Sequence, residues 1–195
     1  MTPMKAKNPQ FITPEFRVSF PNVFQARAVI QGQDPKFSIV MLFDKKTDIT
    51  LLKKAAVAAI VEKWGPKESG KWPKDLRLPF KEGSEKDYAG YENMIAVNAS
   101  SSKEQKPGIV DQSLQDIIDP SEFYGGCYAR ATIAAFAYDK LGNRGVSFGL
   151  RNLQKLRDGE HLGGKNAANK DFDAIEVGEV QGAGADVDLL ADIGA

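Results

Sequence analysis

The 195-residue chain has one cysteine and one histidine, so it can form no internal disulfide, and a zinc site or histidine-dependent triad would have to use His161. Hydrophobic residues make up 42% and charged residues 27% of the chain, which is typical of a globular domain with a tail. No apolar run is long enough to span a bilayer and no signal-peptide core is present, so we expect a cytoplasmic protein without a membrane partner.

Charge is unevenly distributed along the chain, although its 26 basic and 26 acidic residues cancel. Residues 1–157 hold 24 bases and 17 acids, whereas residues 158–195 hold two bases and nine acids. The last 25 residues contain seven acids and neither lysine nor arginine. A basic body indicates an anionic partner, which an acidic tail can mimic. A solvated tail on an ordinary domain explains the same distribution, and charge alone leaves both readings open.

The first strand pattern follows about ten residues that we expect to be disordered. The stretch FRVSFPNVF predicts a strand that breaks at Pro21–Asn22. Its alternation places Phe16, Val18 and Phe20 on one face, and it places Arg17 and Ser19 on the other.

A buried strand and one helix are predicted next. The apolar run KFSIVMLF, residues 36–43, favours a buried strand. The stretch LLKKAAVAAIVEKW predicts a helix that Asp48 or Thr50 caps and Gly65 ends. Apolar residues recur in it at helical spacing, namely Leu51, Leu52, Ala55, Ala59 and Ile60.

The second half of the chain favours strands. A long polar segment, residues 65–93, precedes a strand at 94–101 and a short strand–turn–strand unit at 106–120. A hairpin is predicted from strands at 128–139 and 146–156 around the turn KLGNRG. On the second of these strands the alternation places Ser147, Arg151 and Lys155 on one side.

These elements predict a mainly β protein with about five principal strands and one helix. A five-stranded OB-fold barrel fits this pattern. The domain would span residues 1–157, and residues 158–195 would form a flexible, disordered acidic tail. From pattern alone, any antiparallel sheet with a helix packed on it fits equally well.

Residues that could support catalysis are sparse. Cys127 is expected to be a buried small side chain, and the glycines of GNRGVSFG do not match a phosphate-binding loop. We therefore expect no enzyme, no cofactor and no metal. The alternative is a metal-dependent nuclease that uses scattered acids such as Asp111 and Asp139.

Aromatic and basic residues, by contrast, interleave persistently. Single-stranded nucleic acid requires this composition, because its bases stack on aromatic rings while lysine and arginine follow the phosphates. Any one of these residues could instead pack the core or face water. The candidate residues for single-stranded DNA are Arg17, Arg27, Lys71, Trp72, Lys74, Arg77, Tyr88, Tyr91, Tyr124, Tyr128, Arg130, Tyr138 and Arg151.

Several stretches resemble a family of bacteriophage single-stranded-DNA-binding proteins, between about Phe16 and Asp173. They are RVSFPNVFQA, KFSIVMLFDK, YAGYENMIAVNASS, KPGIVD and, most specifically, GCYARA followed by GNRGVSFGL and LRDGE. The resemblance implies an OB fold that binds single-stranded DNA without sequence preference in phage replication or recombination, in the host cytoplasm. It also implies an acidic C-terminal tail. From the charge distribution we predict that this tail inhibits DNA binding as a polyanion or contacts replication or recombination proteins, here through Asp171, Asp173, Glu176 and Glu179.

This tail departs from the family in its final residues. It continues into a Gly/Ala-rich extension and ends ADIGA, without a terminal aromatic residue. A protein–protein scaffold or recombination mediator, whose basic face binds an acidic partner, is the alternative function. The sequence also leaves a homo-oligomer open.

Overall fold

The computed structural model describes residues 9–28 and 31–163. In this part of the chain, eight strands and one α-helix form the fold, with 3₁₀ turns at Lys67–Ser69 and Gly83–Glu85. The helix, α1, is Thr50–Trp64. The strands are β1 (Phe11–Ile12), β2 (Phe16–Arg27), β3 (Lys36–Asp44), β4 (Phe80–Glu82), β5 (Met94–Ser102), β6 (Gly108–Val110), β7 (Tyr128–Lys140) and β8 (Asn143–Arg157).

The five long strands form a partly closed ring. Strand β3 pairs antiparallel with β2 and β5, β5 pairs parallel with β8, and β7 pairs antiparallel with β8 and β2. The short strands β1, β4 and β6 add to β7, β5 and β8. The ring confirms the predicted mainly β, OB-type barrel with one main helix.

The barrel core follows the alternation of the long strands. On β7, Ala129, Ala131, Ile133 and Ala135 are buried, whereas the intervening residues are half-buried or exposed. Strand β3 contributes its alternate large side chains, which are Phe37, Ile39, Met41 and Phe43. Burial of each such side chain stabilises the fold by about 1.5–3 kcal/mol.

Helix α1 closes one side of this core. Its N-cap residue is Ile49, which makes no side-chain cap hydrogen bond, so the prediction that Asp48 or Thr50 is the cap is wrong. The Asp48 carboxylate instead accepts a hydrogen bond from the Thr50 amide at 2.9 Å, just before the helix, and the helix ends at Gly65 with φ 83°. Leu51 is half exposed, contrary to its predicted place on the apolar face, and Ala56 is buried in the core. No helix of the described residues is long and apolar enough to cross a membrane.

Strand β2 differs from its prediction at Phe20. The strand continues through Pro21–Asn22, and its register with β3 shifts between Ser19 and Asn22. Phe20 lies in the left-handed region, with φ 43°, so the inside–outside alternation reverses there. Ser19 is therefore buried and Phe20 is 51% exposed, the opposite of the predicted faces.

Strand β8 has a similar irregularity at Arg151. Residues Leu150 and Asn152 pair with consecutive residues of β7, so Arg151 is an extra, exposed residue. The bulge reverses the alternation, and Lys155 pairs with the buried Ala129. Its side chain is only 17% exposed, so the prediction that Lys155 shares a side with Ser147 is wrong.

Residues 158–163 pack against the barrel, although the sequence placed the start of the tail at Asp158. The Leu162 amide donates to the Gly125 carbonyl at 2.8 Å, and the Leu162 side chain packs on a small cluster with Leu42 and Tyr91. We call residues 158–163 the C-terminal strap. Disorder was predicted for about the first ten residues and for the tail from residue 158, and of these segments residues 1–8 and 164–195 lie outside the described residues.

Candidate nucleic-acid interface

Two exposed aromatic rings meet on the outside of the barrel. Phe20 is 51% and Tyr88 48% exposed, and the rings pack edge to face with their centroids 5.3 Å apart. They line a cavity of about 230 Å³ that we call the aromatic pocket. Its other lining residues are Ser19, Pro21, Ala89, Tyr91, Gly125, Leu162 and Gly163.

Tyr91 supports this pocket from below. It is 3% exposed, and its hydroxyl shares a 2.9 Å hydrogen bond with that of Ser19. Burial raises the pKa of the Tyr91 hydroxyl, with a smaller opposing effect of the bond to Ser19. The Tyr91 ring packs against that of Tyr88 at 5.3 Å and is not exposed for stacking, contrary to the sequence prediction.

The C-terminal strap forms one wall of the aromatic pocket. Arg17 donates to the Glu160 carbonyl at 2.7 Å and to the Gly126 carbonyl at 3.4 Å, so its guanidinium anchors the strap. Leu162 and Gly163 line the pocket itself. Arg17 was predicted to contact phosphates, but in this structure it holds a wall of the candidate site.

Tyr124 also binds the strap. Its ring stacks on that of His161 at 4.0 Å, and its hydroxyl donates to the Asp158 carboxylate at 3.0 Å. The Lys155 ammonium lies 5.4 Å from the ring centroid. Burial raises the pKa of the Tyr124 hydroxyl. This ring is therefore already stacked within the protein.

Tyr128 is covered in a similar way. The Arg157 guanidinium lies 3.4 Å from the centroid of the Tyr128 ring, and it is held there by an ion pair with Glu15 at 2.7 Å. One face of this ring is thus occupied by a cation of the same chain. The sequence offered Tyr128 as a candidate for DNA contact, but it could not indicate this cover.

A strip of small side chains continues from the aromatic pocket along the outer face of β2, β3 and β5. We call it the outer channel; it consists of Asn22, Ser38, Val40, Asn98 and Ser100. Each of these residues is half-buried or exposed, and Ser38 pairs with Ser100 as Val40 pairs with Asn98.

Two cations stand at the far end of the outer channel. Arg27 and Lys36 are exposed and pair with each other across β2 and β3. The second and third of the five long barrel strands are β3 and β5, and an OB barrel uses the face of these two strands for oligonucleotides. The aromatic pocket and these two cations therefore stand at opposite ends of the outer channel.

The polar segment 65–93 is attached to the barrel over much of its length. Trp72 packs against the core and donates from its indole to the Gly65 carbonyl at 2.8 Å. The backbone of Arg77 bonds to Arg144 and Val146 of β8, and strand β4 pairs with β5. Lys71 and Lys74 are exposed beside Trp72. The segment is a wall that carries Tyr88 to the aromatic pocket.

The remaining candidates do not line the aromatic pocket. Arg130 donates to Gln154 at 2.8 Å and Arg151 to Gln105 at 3.4 Å, both on the outer face of β7 and β8. Tyr138 lies at the hairpin end, against Gly145. The structure thus brings Arg17, Tyr88, Tyr91, Tyr124 and Tyr128 together around the strap, but it leaves the other candidates on separate surfaces.

Phe20 is the exposed pocket residue that sequence reasoning missed. The alternation of FRVSF placed Phe20 on the same face as Phe16 and Val18, and its left-handed backbone turns the ring outward. The signal was the following Pro21–Asn22, because proline within a strand pattern is typical of a bulge.

The described residues do not assemble a catalytic or metal site. They contain no group of three histidine, cysteine, aspartate or glutamate side chains placed to hold a metal ion. The Asp111 carboxylate accepts from the amides of Ser113 and Gln115 in a turn, and Asp139 pairs with Arg144 at 3.3 Å. The two acids of the nuclease alternative therefore have separate local contacts.

Comparisons with known proteins relate this chain to a phage protein family. Residues 9–182 match the family described as Enterobacter phage Enc34, ssDNA-binding protein. Protein p50 of Acyrthosiphon pisum secondary endosymbiont phage 1 is 30% identical over 172 residues, which are 84% of this chain and 92% of that protein.

Solved structures show the same fold. The single-stranded DNA-binding protein from bacteriophage Enc34 in complex with ssDNA has a TM-score of 0.64 at 22% identity, over 79% of this chain and 89% of that one. The single-stranded DNA-binding protein gp2.5 of bacteriophage T7 has a TM-score of 0.59 at 12% identity, over 90% and 100% of the two chains. The chain therefore belongs to the Enc34 family of phage single-stranded-DNA-binding proteins, which confirms the resemblance in its motifs and the expectation of a binding protein and not an enzyme.

Proposed function

We propose that this protein binds single-stranded DNA without sequence preference along the outer channel during phage replication or recombination in the host cytoplasm. Phe20 and Tyr88 stack on bases at one end, and Arg27 and Lys36 contact phosphates at the other. Six further candidates stay predictions for DNA contacts outside the outer channel, namely Lys71, Lys74, Arg77, Arg130, Tyr138 and Arg151.

The observation that carries this proposal is the exposed, strained Phe20. A bulky residue with positive φ costs about 1–3 kcal/mol, and such strain persists where the surrounding structure imposes it. Phe20 gives up core burial as well, because its ring is 51% exposed. The outward ring contributes little to the core, and it is well placed for stacking.

The lack of sequence preference follows from the type of surface. Every base has a π-face, so an aromatic pair accepts each of them, and stacking contributes about 1–3 kcal/mol per base. The outer channel offers short serine and asparagine side chains and no basic fork aimed at base edges. Discrimination between bases by paired hydrogen bonds is therefore not expected.

The acidic tail is proposed to compete with DNA for this surface. Gly163 lines the aromatic pocket, and the first acid of the predicted tail set, Asp171, follows within roughly 25–30 Å of extended chain. Asp171, Asp173, Glu176 and Glu179 can thus reach the channel as a polyanion. DNA displaces them and frees the tail for a replication or recombination protein.

The test is a fluorescence anisotropy titration of labelled oligo-dT against a duplex of equal length, at several salt concentrations. We expect tight single-strand binding that weakens steeply with salt, since phosphate contacts release counterions. Removal of residues 170–195 should raise affinity most at low salt. If the full chain and the truncated chain bound oligo-dT with equal affinity at low salt, the proposed competition between tail and DNA would be excluded. A folded, truncated protein that binds no oligonucleotide would instead favour the scaffold alternative.

A further inference from the structure

Arg17 lies where the two walls of the aromatic pocket meet the barrel. It belongs to β2, three residues before Phe20, and it pairs with Leu42 of β3 on one side and with Tyr128 of β7 on the other. Its side chain is half-buried. A cation at such a place either binds a phosphate or holds the surrounding chain in position, and its contacts decide between these two roles.

All three nitrogen atoms of the Arg17 guanidinium lie against the protein's own backbone. Nε donates to the Gly126 carbonyl at 3.4 Å, and Nη2 donates to the Glu160 carbonyl at 2.7 Å. Nη1 lies beside Gly90, since a Cβ atom added to that glycine would be 3.4 Å from it. Glu160 belongs to the C-terminal strap, and Gly90 belongs to the segment 65–93. Arg17 therefore joins both walls of the aromatic pocket to β2.

The two walls also contact each other beside this guanidinium. An added Cβ at Gly90 would collide with the Leu162 side chain, so the strap packs closely on the segment that carries Tyr88. The Leu162 amide donates to the Gly125 carbonyl at 2.8 Å, and the Leu162 side chain packs on the small cluster that contains Tyr91. The Tyr91 ring in turn packs against that of Tyr88 at 5.3 Å. A shift of the strap is therefore transmitted to Tyr88.

The shape of an arginine side chain allows one residue to make both carbonyl contacts. A guanidinium donates from several fixed, planar positions, whereas a lysine ammonium is a compact charge on a flexible stem. Because Arg17 uses two different nitrogens for Gly126 and Glu160, a lysine at this position keeps the charge but not both contacts. The charge of Arg17 can thus be separated from its contacts by experiment.

We propose that Arg17 is a positioning residue of the aromatic pocket: it does not contact DNA, and it holds the strap and Tyr88 where the rings of Phe20 and Tyr88 can stack on a base. This role rests on the proposed function of those two rings. It differs from the phosphate contact that the charge pattern predicts for Arg17. The salt dependence of DNA binding is then independent of Arg17, whereas the contribution of Tyr88 to binding depends on it.

Oligo-dT titrations of the full chain at several salt concentrations test the proposal. Arg17→Met removes the charge and both carbonyl contacts, whereas Arg17→Lys keeps the charge. Each variant is measured alone and combined with Tyr88→Ala, and urea unfolding shows whether each protein is folded. The matched control combines Arg17→Met with Lys36→Gln, because Lys36 lies at the far end of the outer channel.

We expect both Arg17 variants to lower the affinity for oligo-dT by roughly 5- to 150-fold, the effect of losing one stacked ring, and to leave the slope of log affinity against log salt unchanged. In the Arg17→Met background, Tyr88→Ala should cost little further affinity, because the Tyr88 ring is already displaced. Lys36→Gln should lower the affinity by the same factor with and without Arg17→Met, since the two residues share no contact.

Three results would overturn this role of Arg17. They are a salt slope that falls by about 0.7–1 in Arg17→Met and recovers in Arg17→Lys, which would show a phosphate contact; additive losses for Arg17→Met and Tyr88→Ala; and unchanged affinity in both Arg17 variants. If Arg17→Met does not fold, the same combinations with Arg17→Lys decide. Unchanged affinity of Tyr88→Ala in the natural chain would instead overturn the proposed function of the ring pair, and with it this role of Arg17.

Discussion

The rings of Phe20 and Tyr88 meet edge to face at 5.3 Å, although one belongs to a barrel strand and the other to the segment between α1 and β5. Neither ring is buried by this contact, so each still presents surface to a base. The segment 65–93 therefore contributes to the site itself. Its attachment to β5 and β8 fixes the position of Tyr88 relative to the strand.

Loss of either ring should weaken DNA binding without unfolding the protein. We expect Phe20→Ala and Tyr88→Ala each to cost about 1–3 kcal/mol of binding free energy to oligo-dT, because each removes a stacking surface. The double variant should lose less binding free energy than the sum of the two single losses, since the rings contact each other. Phe136→Ala is the control: this ring is 43% exposed on β7, outside the pocket. Anisotropy titrations measure the effect, and an equal loss for Phe136→Ala would contradict the assignment.

Removal of the cations at the far end of the outer channel should change the salt dependence of binding. We expect Arg27→Gln and Lys36→Gln each to reduce the slope of log affinity against log salt by about 0.7–1, because one phosphate contact is lost. Arg144→Gln is the matched control, since Arg144 already pairs with Asp139 and Asp75. Unchanged slopes for the first two variants would place the phosphates elsewhere.

The sequence predicted the elements whose pattern is regular. The buried face of β7 follows period-two alternation, β3 is a continuous apolar run, and α1 follows helical spacing, so local pattern sufficed. The ring closure needs pairing between strands far apart in the chain, which only the resemblance to a known family indicated.

The errors concentrate where one residue breaks a period. At Phe20 and at Arg151 a bulge reverses the alternation, so the predicted faces of Phe20 and Lys155 were wrong. The sequence analysis assigned the strap to the tail because its glycine-rich, charged composition is typical of a tail. In the structure, Gly159 lets the strap backbone approach the Tyr128 ring and the Gly126 carbonyl closely. Such tertiary contacts leave little trace in a single sequence.

Close packing of the strap against Gly126 should make that glycine irreplaceable. Gly126 has φ 118°, and an added Cβ would collide with the Glu160 carbonyl. Gly142 also has positive φ, at 82°, but its Cβ would meet open space. We expect Gly142→Ala to cost only the backbone strain, about 1–2 kcal/mol, and Gly126→Ala to cost clearly more and to weaken DNA binding as the strap shifts. Urea unfolding and oligo-dT titration measure both effects; equal destabilisation would show that the strap yields freely.

The contact between Asp158 and Lys155, at 2.7 Å, should make the anchorage of the strap sensitive to acid. The hydrogen bond from Lys155 holds the pKa of the Asp158 carboxyl below its ordinary value, with a smaller effect from Tyr124. Because the folded-state pKa is depressed, the stabilisation is fully present above the ordinary value near 3.8 and is lost as the pH falls through the folded-state pKa. Burial lowers the pKa of Lys155, but its contacts with Asp158 outweigh this and raise it, so Lys155 keeps its charge through this acid range.

We therefore expect Asp158→Asn to be less stable than the natural chain at pH 7 by at most about 1 kcal/mol, because the carboxylate is largely solvent-exposed. The difference should shrink as the pH falls below about 4, since the natural side chain then becomes neutral as well. Urea unfolding of both proteins at pH 7 and pH 3 measures this, with Asp34→Asn, an exposed loop acid, as the control. A difference that is the same at both pH values would show that the charge of Asp158 does not hold the strap.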